Sequence, residues 1–563
     1  MDIQRIRFVF YFIAILLGAI QAWNTRFYMT PDGISYLDIG DAYLRGDWNT
    51  AFNAYWGPLY SVILGSFLFL FKPSSYFEFP FVHLINFMIF IASIFCFNFF
   101  IDQFLKNKEN KNSLPNWALY SMSCTIFLYT SLKFTNIWIS TPDLLLSCFV
   151  YLITGYTLKI RRENDKNIDF IVLGALLGFA YLTKAIMFVI AFVYLAVFLI
   201  FKIANFKKVI LSLFIFLIIA SPYIFAISKE KNRVTFGDSG KLNYVWQVNN
   251  VTAFYMVHWQ GGVEEGRVRG LDKKIQSVDC GKPKHSTRKI YSSPDVYEFG
   301  NPINATYAPW FDPSYWYEGV KPDLNFNHLL NFFKRNLKDY SLIFLVYQGV
   351  LIICFIYFLL KFKNIENLKT NINKNLFLIT PPVFTILLYA LVFPELRYIA
   401  SFVSIFWIIM LSAVSVLKDD PGSVKFGSIT LIVFLLFTTL FARFSSSDYS
   451  YLKDFVNKNN VPLNCEVAHE LEKVGLEKGD AVASFGYGHL AFWARLGRYR
   501  IVSEIPDKDV KKFWSISKDK RLDIFNIIKN TGARAIVIDT IPLDSVLPWR
   551  KLGNTGYYAC LLN

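Results

Sequence analysis

The sequence predicts an α-helical membrane protein with many spans, followed by a soluble α/β domain. Hydrophobic residues make up 54% of the 563 residues and charged residues only 18%, which is too little charge for a soluble protein of this length. Apolar runs long enough to cross a bilayer recur throughout residues 1–444. In residues 445–563, short apolar runs alternate with polar stretches, which is typical of the strands and helices of a small soluble domain.

About eleven spans are predicted in residues 1–444, with the N-terminus in the cytoplasm. The first apolar run, 8–23, follows Arg5 and Arg7 and is not followed by a small-residue cleavage site, which indicates a retained signal anchor. The later spans are expected at 81–105, 114–132, 142–158, 168–183, 184–201, 209–227, 338–360, 375–392, 398–417 and 426–443.

Two segments decide this count. The run 59–71 is short for a span and is predicted as a helix on the membrane surface. A single helix over 168–201 would be about 50 Å long against about 30 Å of hydrocarbon, so two short spans meeting at Lys184 are expected. With these assignments, the short loops rich in Lys and Arg lie on the N-terminal side, as the positive-inside tendency requires. The acidic loop 24–58, the long loop 228–337 and the C-terminal domain then share the outer face.

The charge and the cysteines exclude several classes of function. The net charge of +16 is explained by basic cytoplasmic loops, and without an RNA- or DNA-binding module it does not indicate a nucleic-acid partner. The seven Cys include no CxxC pair, which argues against a redox or metal centre, and the sequence leaves open whether Cys465 and Cys560 pair. No Walker A, HExxH or GxSxG motif occurs, and no dinucleotide fingerprint is complete.

Two long polar regions have their own predicted structure. The segment 324–337, at the end of the long loop, is expected to form an amphipathic helix in the membrane plane. In the C-terminal domain, strands are expected at 481–485, 499–505, 534–540 and 557–562, with helices at 489–497 and 519–530.

The acidic loop 24–58 is the first candidate site. It carries Asp32, Asp38, Asp41 and Asp47 among aromatic residues, directly after the first span. Asp32 lies in Thr-Pro-Asp-Gly, which suits either a turn and helix cap or a general base or metal-binding carboxylate at the headgroup level. Asp41 is four residues before Arg45, so a surface salt bridge is expected there.

Three charged residues at predicted outer span ends are expected on the same outer face as Asp32. Asp143 follows Thr-Pro, which suits a helix cap or a functional acid. Lys184 interrupts an apolar run, where a charge is costly unless it meets a partner such as a lipid phosphate. Arg397 has the same interpretation, with a salt bridge to Glu395 as the alternative. The two cations and the two acids, Asp32 and Asp143, together suit a diphosphate or phosphate-sugar substrate. Of the six histidines, only His258 in the long loop is a candidate to join them.

At these positions the chain resembles the integral-membrane glycosyltransferases of the GT-C fold, especially bacterial relatives of the protein O-mannosyltransferases and the lipid A aminoarabinose transferase. The likeness covers roughly residues 1–420, with Gly33 where the family often has Glu. The matching motifs are Asp32-Gly33, Tyr36, Gly46-Asp47-Trp48 and Pro58, STPDLLL with Asp143, GALLGFAYLTK ending in Lys184, and Arg397-Tyr398.

The resemblance implies inverting transfer of a sugar from a polyprenyl-phosphate donor to a lipid, glycan or protein acceptor outside the cytoplasm, in building a cell-envelope glycan. It implies Asp32 as the general base and Asp143 as a residue that orients the substrate. Lys184, Arg397, Tyr398, Tyr36 and His258 would bind substrate. A divalent metal, if one is used, would be held by Asp32 or Asp143. The expected location is the inner (plasma) membrane, with the C-terminal domain extracytoplasmic.

Three other functions remain open from the sequence. A transporter or flippase for a lipid-linked glycan would place charges at mid-membrane and often show inverted repeats, whereas these charges cluster at one face. A non-catalytic membrane scaffold would tolerate Asp32→Asn. A glycan ligase is a neighbouring class that differs only in its acceptor chemistry.

Overall fold

The computed structural model describes residues 2–108, 114–163, 166–249, 266–269, 275–278, 287–300, 303–312, 315, 321–362, 365–415, 421–441, 462–542 and 548–562. The chain divides into two compact units. The first, called the helical unit, comprises Met1–Thr25, His83–Ala226 and Asn325–Asn457. The second, called the mixed unit, comprises Arg26–Val82, Ile227–Leu324 and Lys458–Asn563.

The helical unit is built from long apolar helices and a few shorter ones. A π-helix, Thr130–Thr135, directly follows one of them. The helices that lie wholly or mostly in this unit are Ile3–Asn24, Ser75–Lys106, Asn116–Tyr129, Asp143–Glu163, Asn167–Thr183, Met187–Ile200, Phe206–Glu230, Phe326–Phe362, Ile365–Lys374, Leu376–Ala390, Leu396–Ala413 and Pro421–Phe441.

The prediction of a multi-span helical membrane protein is confirmed. Within the described residues, seven helices are long and apolar enough to cross a membrane, and a bent helix pair is an eighth candidate. Three further apolar helices, Pro58–Phe71, Asn167–Thr183 and Met187–Ile200, are shorter. Each of the eleven predicted spans coincides with helix in the structure. Eleven crossings stay a prediction, because several of these helices are below the usual spanning length.

Of two helix boundaries predicted from the sequence, one is confirmed and the other is wrong. The predicted break at Lys184 is confirmed: Asn167–Thr183 ends there, Lys184 has extended backbone (φ −154°, ψ 125°), and Met187–Ile200 follows. The predicted break between an in-plane helix 324–337 and a span from 338 is wrong. A single helix of 37 residues, Phe326–Phe362, runs through both, because no Gly or Pro near residue 337 interrupts it.

The glycine-rich helix Asn167–Thr183 packs closely against Phe206–Glu230. A Cβ on Gly174 would lie 2.3 Å from the carbonyl oxygen of Ser212, and one on Gly178 would lie 2.7 Å from Ile219. Only glycine permits this distance, which is how small residues let helices approach in membranes. The GALLGF motif therefore determines how closely the helix that precedes Lys184 packs against Phe206–Glu230.

The mixed unit combines helices with a seven-stranded sheet. Its helices are Pro31–Arg45, Trp48–Ala51, Pro58–Phe71, Ser239–Gln247, Ala308–Phe311, Leu463–Lys473, Gly488–Leu490 (3₁₀), Phe492–Gly497, Asp507–Ser515 and Lys518–Lys529. Its strands are β1 (Gly266–Arg269), β2 (Ile275–Val278), β3 (Thr287–Tyr291), β4 (Val296–Phe299), β5 (Ala481–Gly486), β6 (Arg500–Pro506), β7 (Ala535–Ile538), β8 (Arg550–Lys551) and β9 (Tyr558–Leu561). The strands and helices predicted for residues 481–562 are thus confirmed.

The order in the sheet is β3-β4-β6-β5-β7-β9-β8. Strand β5 is parallel to β6 and β7, while the other pairs are antiparallel. The sheet is larger than the C-terminal domain alone, since β3 and β4 come from the long loop and β4 pairs with β6. The predicted boundary at 444/445 lies outside the described residues, so that division stays a prediction. Cys465 and Cys560 are both buried, free thiols.

Candidate active site

The acidic helix Pro31–Arg45 starts with a complete N-cap. The Thr30 hydroxyl accepts a hydrogen bond from the Gly33 amide at 3.1 Å, and Pro31 occupies the first turn. Thr30 therefore performs the capping role that the sequence left open for Asp32. Asp32 lies in the first turn, half-buried, and one of its oxygens accepts a hydrogen bond from the Trp310 indole N–H at 3.2 Å.

Asp38 and Asp41 belong to a buried cluster with two arginines, called the Arg495 cluster. The Arg495 side chain is 3% exposed and lies 2.8 Å from Asp38, 2.8 Å from Asp41 and 2.7 Å from Glu78. Arg498 lies 3.0 Å from Asp41 and 2.6 Å from Glu78. Asp41 thus bonds to two arginines of the C-terminal domain. The sequence had predicted a surface salt bridge to Arg45 on the same helix instead, and that prediction is wrong. These carboxylates therefore join the acidic helix to the C-terminal domain by ion pairs within the mixed unit.

The remaining acidic residue of the loop, Asp47, is a helix cap. Its carboxylate accepts hydrogen bonds from the Thr50 amide at 3.3 Å and the Thr50 hydroxyl at 2.7 Å. Asp38 is also fixed by Thr306, whose amide and hydroxyl donate to it at 2.8 and 3.0 Å. Asp32 thus accepts a hydrogen bond from an aromatic N–H, whereas Asp38 and Asp41 contact arginines and Asp47 caps a short helix.

Close packing determines where this helix lies. A Cβ on Gly40 would be 2.5 Å from the Ser61 carbonyl oxygen, and one on Gly65 would be 2.6 Å from the Gly40 carbonyl oxygen, so the helix and Pro58–Phe71 touch backbone to backbone. The Tyr36 ring is buried edge-on against Trp56 and Tyr60, with ring centroids 5.1 and 5.2 Å apart. The structure shows Tyr36 in a packing role, and its role in substrate binding stays a prediction.

A small pocket lies beside Asp32. Trp310 forms one wall and stacks on His489, with centroids 5.1 Å apart and planes inclined by 14°. Burial lowers the pKa of His489 to about 4, so the ring is neutral at pH 7. The residues that line the pocket are Pro31, Ile34, Ser35, Asp38, Thr306, Tyr307, Trp310, Gly488, His489, Ala491 and Phe492.

Glu504 supports this pocket from strand β6. The Tyr307 hydroxyl donates to it at 2.5 Å, and Glu504 is only 1% exposed. Burial raises the pKa of Glu504 to about 8. The pocket is therefore lined by uncharged His489, and behind its Tyr307 wall lies a carboxyl group that holds a proton at neutral pH.

The second charged cluster, called the Asp143 cluster, lies within the helical unit. The Lys184 ammonium is 2.7 Å from Asp143 Oδ1, and Arg397 Nε is 3.9 Å from Asp143 Oδ2. The Thr141 hydroxyl donates to Asp143 Oδ2 at 2.9 Å. The Asp143 side chain is 2% exposed, while Lys184 and Arg397 are 20% and 14% exposed. The carboxylate is thus covered, and the two cations retain accessible surface.

Aromatic rings complete the Asp143 cluster. The Lys184 ammonium is 3.4 Å from the centroid of the Tyr398 ring and 5.8 Å from that of Tyr389. Arg397 also lies over Tyr398, at 5.0 Å, and donates to Glu395 at 2.9 Å. The predicted salt bridge to Glu395 is therefore confirmed, and a role of Arg397 in binding a lipid phosphate stays a prediction. Ring faces of this kind stabilise a cation without neutralising it.

Helix ends bring these residues together from distant parts of the chain. Asp143 begins Asp143–Glu163, Lys184 stands in the break after Asn167–Thr183, and Arg397 is in the first turn of Leu396–Ala413. The structure thus groups four of the predicted site residues, including Tyr398. Asp32 and Tyr36 belong to the mixed unit, and His258 lies outside the described residues.

Asp32 and Asp143 are the residues predicted to hold a divalent metal, if one is used. Within the described ranges, no group of three or more His, Cys, Asp or Glu side chains is placed to hold a metal ion. The two oxygens of Asp143 contact Lys184 and Thr141, which is a poor arrangement for a first metal ligand. A metal at Asp32 or Asp143 stays a prediction.

Sequence reasoning missed the residues of the C-terminal domain that hold the acidic helix. Arg495 and Arg498 are three residues apart, as are Asp38 and Asp41, so the two helices carry complementary charges at the same spacing. This shared spacing could have predicted that the two pairs of charged residues contact each other. The Trp310–His489 pair had no comparable signal, because it joins two regions of irregular sequence.

Comparisons with known proteins agree with this architecture. The family model described as dolichyl-phosphate-mannose-protein mannosyltransferase matches residues 111–225, a segment that contains Asp143 and Lys184. No curated protein matches the chain. The chain is similar to the crystal structure of ArnT from Cupriavidus metallidurans bound to undecaprenyl phosphate, with 11% identity, coverage of 99% of this chain and 97% of that chain, and a TM-score of 0.54.

It is also similar to the Archaeoglobus fulgidus oligosaccharyltransferase in complex with Zn and sulfate, with 10% identity, coverage of 95% and 68%, and a TM-score of 0.48. The likeness to ArnT extends over nearly the whole of both chains, and ArnT is a GT-C protein. The chain is therefore a multi-span membrane protein with the GT-C fold. The resemblance indicated by its sequence motifs is confirmed at the level of the fold.

Proposed function

We propose that the protein is a glycosyltransferase that moves a sugar from a polyprenyl-phosphate donor to an acceptor on the extracytoplasmic face of the cell membrane, with inversion at the anomeric carbon. The observation that carries this proposal is the Asp143 cluster, in which two cations with exposed surface flank a buried carboxylate. The ArnT structure, which shares the fold, holds undecaprenyl phosphate. The proposed location is the inner (plasma) membrane, with the N-terminus in the cytoplasm.

The donor phosphate is the proposed ligand of Lys184 and Arg397. As the bond between the anomeric carbon and the phosphate oxygen breaks, negative charge grows on the phosphate, and preorganised cations stabilise that charge. Asp143 orients Lys184 by a 2.7 Å contact, and the Lys184 ammonium also lies over the face of the Tyr398 ring. A phosphate that approaches the exposed side of both cations adds charge-assisted contacts without removing Asp143.

The acceptor is the proposed partner of Asp32. Its carboxylate takes the proton of an acceptor hydroxyl while that oxygen attacks the anomeric carbon, opposite the departing phosphate. The bond to the acceptor oxygen forms as the bond to the phosphate breaks, and this displacement inverts the configuration. Trp310 donates to one carboxylate oxygen at 3.2 Å and so orients the base. A lipid-borne donor fits an outer-face site, because nucleotide sugars are cytoplasmic.

The first test compares wild type, a deletion strain, Asp32→Asn and the control Asp47→Asn at matched protein level in the native host. Surface glycans and lipid-linked sugars are measured by mass spectrometry. Asp32→Asn is expected to lower transfer by about 100-fold or more, since general bases contribute rates of that size, and to leave unused donor. Asp47→Asn is expected to retain activity, because its carboxylate caps the short helix Trp48–Ala51. Wild-type glycans in Asp32→Asn, with a clear deletion phenotype, would exclude Asp32 as the base and favour a transporter or scaffold.

A second pair of variants tests the phosphate contact. Lys184→Gln breaks a 2.7 Å ion pair in which Lys184 is 20% exposed, and Lys159→Gln breaks a 2.7 Å pair with Asp169 in which Lys159 is 27% exposed. Both lie in the helical unit and cost similar stability. Only Lys184→Gln is expected to lower kcat, by about 100-fold, as loss of one preorganised charge does. Equal activity of the two variants would show that Lys184 is structural.

A further inference from the structure

A second polar pocket lies in the helical unit, apart from the Asp143 cluster. We call it the basal pocket. Three of its side chains are cationic and four are neutral and polar, and within the described residues no acidic side chain lines it. The residues that line it are Phe104, Asn107, Lys108, Leu158, Arg161, Asn371, Lys374, Asn375 and Ser412.

The basal pocket lies at the opposite end of the helices that carry the Asp143 cluster. Asp143 begins its helix, and Arg161 is in the last turn of the same helix, which corresponds to about 27 Å along the axis. Arg397 likewise lies in the first turn of Leu396–Ala413, and Ser412 is next to its end. The two sites therefore face opposite ends of the unit. The basal end is the one for which the sequence predicts cytoplasmic, Lys- and Arg-rich loops.

The pocket has the position expected of the membrane–water interface. The helix segment Asn367–Lys374 meets the apolar helix Leu376–Ala390 at a bend of 79°. The polar helix Ile365–Lys374 is amphipathic, and its last residue, Lys374, is exposed at the bend. A short amphipathic helix turned away from an apolar one is typical of a segment that lies in the membrane surface.

The walls of the pocket are ordered by contacts of their own. The Asn371 amide donates to the Ala413 carbonyl at 2.9 Å, and the Asn375 amide donates to the Asn371 carbonyl at 2.9 Å. The Asn107 amide donates to the Gln103 carbonyl at 2.8 Å. These amides satisfy carbonyls near helix C-termini, whose partial negative charge would otherwise repel an anion.

The cations of the pocket are also held in place. The Arg161 guanidinium lies 4.3 Å over the Phe377 ring, a contact that leaves its charge intact. Lys108 donates to the Leu114 carbonyl and, at 2.9 Å, to Asn116, both of which are uncharged. A topology signal alone requires only that basic residues occur in cytoplasmic loops. A concave site lined by three cations, two of them held in place by neighbouring groups, has the composition of an anion receptor.

We propose that the basal pocket binds a phosphate group, supplied either by the headgroup of an anionic membrane lipid or by a soluble phosphate compound. Lys108, Arg161 and Lys374 provide the charge that attracts it. Asn375 provides a neutral polar group beside it, while the Asn107 amide and the Ser412 hydroxyl donate to helix carbonyls and order the walls. Basic pockets between membrane helices near the cytoplasmic surface recognise lipid headgroups in this way. The proposal does not depend on the transferase reaction, because it concerns the opposite end of the unit.

The test uses the full-length protein in detergent and a charge-matched control. The pocket variant is Lys108→Gln, Arg161→Gln and Lys374→Gln together. The control variant is Lys106→Gln, Lys202→Gln and Lys207→Gln, which removes three exposed basic residues from the same predicted face outside the pocket. Native mass spectrometry counts bound phosphatidylglycerol and phosphatidylcholine, and calorimetry measures glycerol 3-phosphate and inorganic phosphate.

Wild type and the control variant are expected to bind more phosphatidylglycerol than phosphatidylcholine. The pocket variant is expected to bind phosphatidylglycerol at least about tenfold more weakly than wild type does. Binding of phosphatidylglycerol but not of glycerol 3-phosphate identifies the lipid as the source of the phosphate. The reverse result identifies a soluble ligand. Equal weakening in the pocket and control variants would overturn the proposal, since it would show a general charge effect, and so would the absence of any phosphate binding.

Discussion

Arg495 gives the sharpest test of how the C-terminal domain supports the acidic loop. Its guanidinium is 3% exposed and contacts three carboxylates within 2.8 Å. Arg495→Met keeps most of the side-chain volume but removes the charge. Breaking a buried ion pair by removing one partner costs about 3–5 kcal/mol, because the other partner stays buried and uncompensated.

The exposure of each carboxylate indicates which one is destabilised most when Arg495 is replaced. Asp38 and Glu78 are 5% and 2% exposed, whereas Asp41 is 23% exposed and can regain water. Arg498 still pairs with Asp41 and Glu78, so the loss falls mainly on Asp38. At about 2–4 °C per kcal/mol for a unit of this size, the melting temperature of the mixed unit should fall by roughly 10 °C.

The assay is thermal unfolding of the detergent-solubilised protein, followed by limited proteolysis of the C-terminal domain. The control is Arg498→Met, which removes a side chain that is 36% exposed and is expected to cost about 1 kcal/mol. Adding Asp38→Asn to Arg495→Met should recover much of the loss, because it removes the unpaired charge. A melting temperature for Arg495→Met equal to that of Arg498→Met would refute the argument from burial.

Two other substitutions have defined outcomes. The pKa of Glu504 is raised by burial to about 8, so the folded state binds its proton more tightly than the unfolded state, and stability falls as pH rises from the ordinary pKa of 4.5 to about 8. Wild type should lose roughly 1–2 kcal/mol between pH 6.5 and 8, and Glu504→Gln should lose less, as melting curves at each pH will show. If both proteins respond equally to pH, Glu504 is not the titrating group. Gly174→Ala should destabilise by about 1–3 kcal/mol, because its Cβ would meet the Ser212 carbonyl oxygen at 2.3 Å, whereas Gly349→Ala has open space and should be neutral or stabilising. Equal melting temperatures for these two variants would contradict the close helix contact.

The Asp143 cluster could be predicted from the sequence because its determinants are local. A charge between apolar runs, an acid after Thr-Pro and an Arg-Tyr at the start of a span each mark a helix end at the membrane surface. Once the spans are counted, these ends fall on one face, and the structure brings Asp143, Lys184, Arg397 and Tyr398 into contact. The span count places the charged residues on one face, whereas the place of Tyr398 among them was implied only by the family resemblance.

The mixed unit was harder to predict because its contacts join distant segments of polar sequence. Asp41 is four residues before Arg45, which suggested a local salt bridge, but in the structure it pairs with Arg495, about 450 residues further on. Strands β3 and β4 extend a sheet whose other members lie about 200 residues further on, and single-sequence patterns do not encode such pairing. The continuous helix Phe326–Phe362 was divided in the prediction because a change from amphipathic to apolar sequence looks like a boundary.

The Arg495 cluster also changes which experiments separate an enzyme from a scaffold. Removing the C-terminal domain would leave Asp38, Asp41 and Glu78 without their arginines and would disturb the acidic helix that carries Asp32. Loss of function after such a truncation is therefore expected whether the protein is catalytic or not. Asp32→Asn is different, because Asp32 lies in the first turn of that helix, Thr30 supplies its cap, and Arg495 pairs with other residues. A folded Asp32→Asn protein without activity would place the chemistry at that carboxylate, which no scaffold requires.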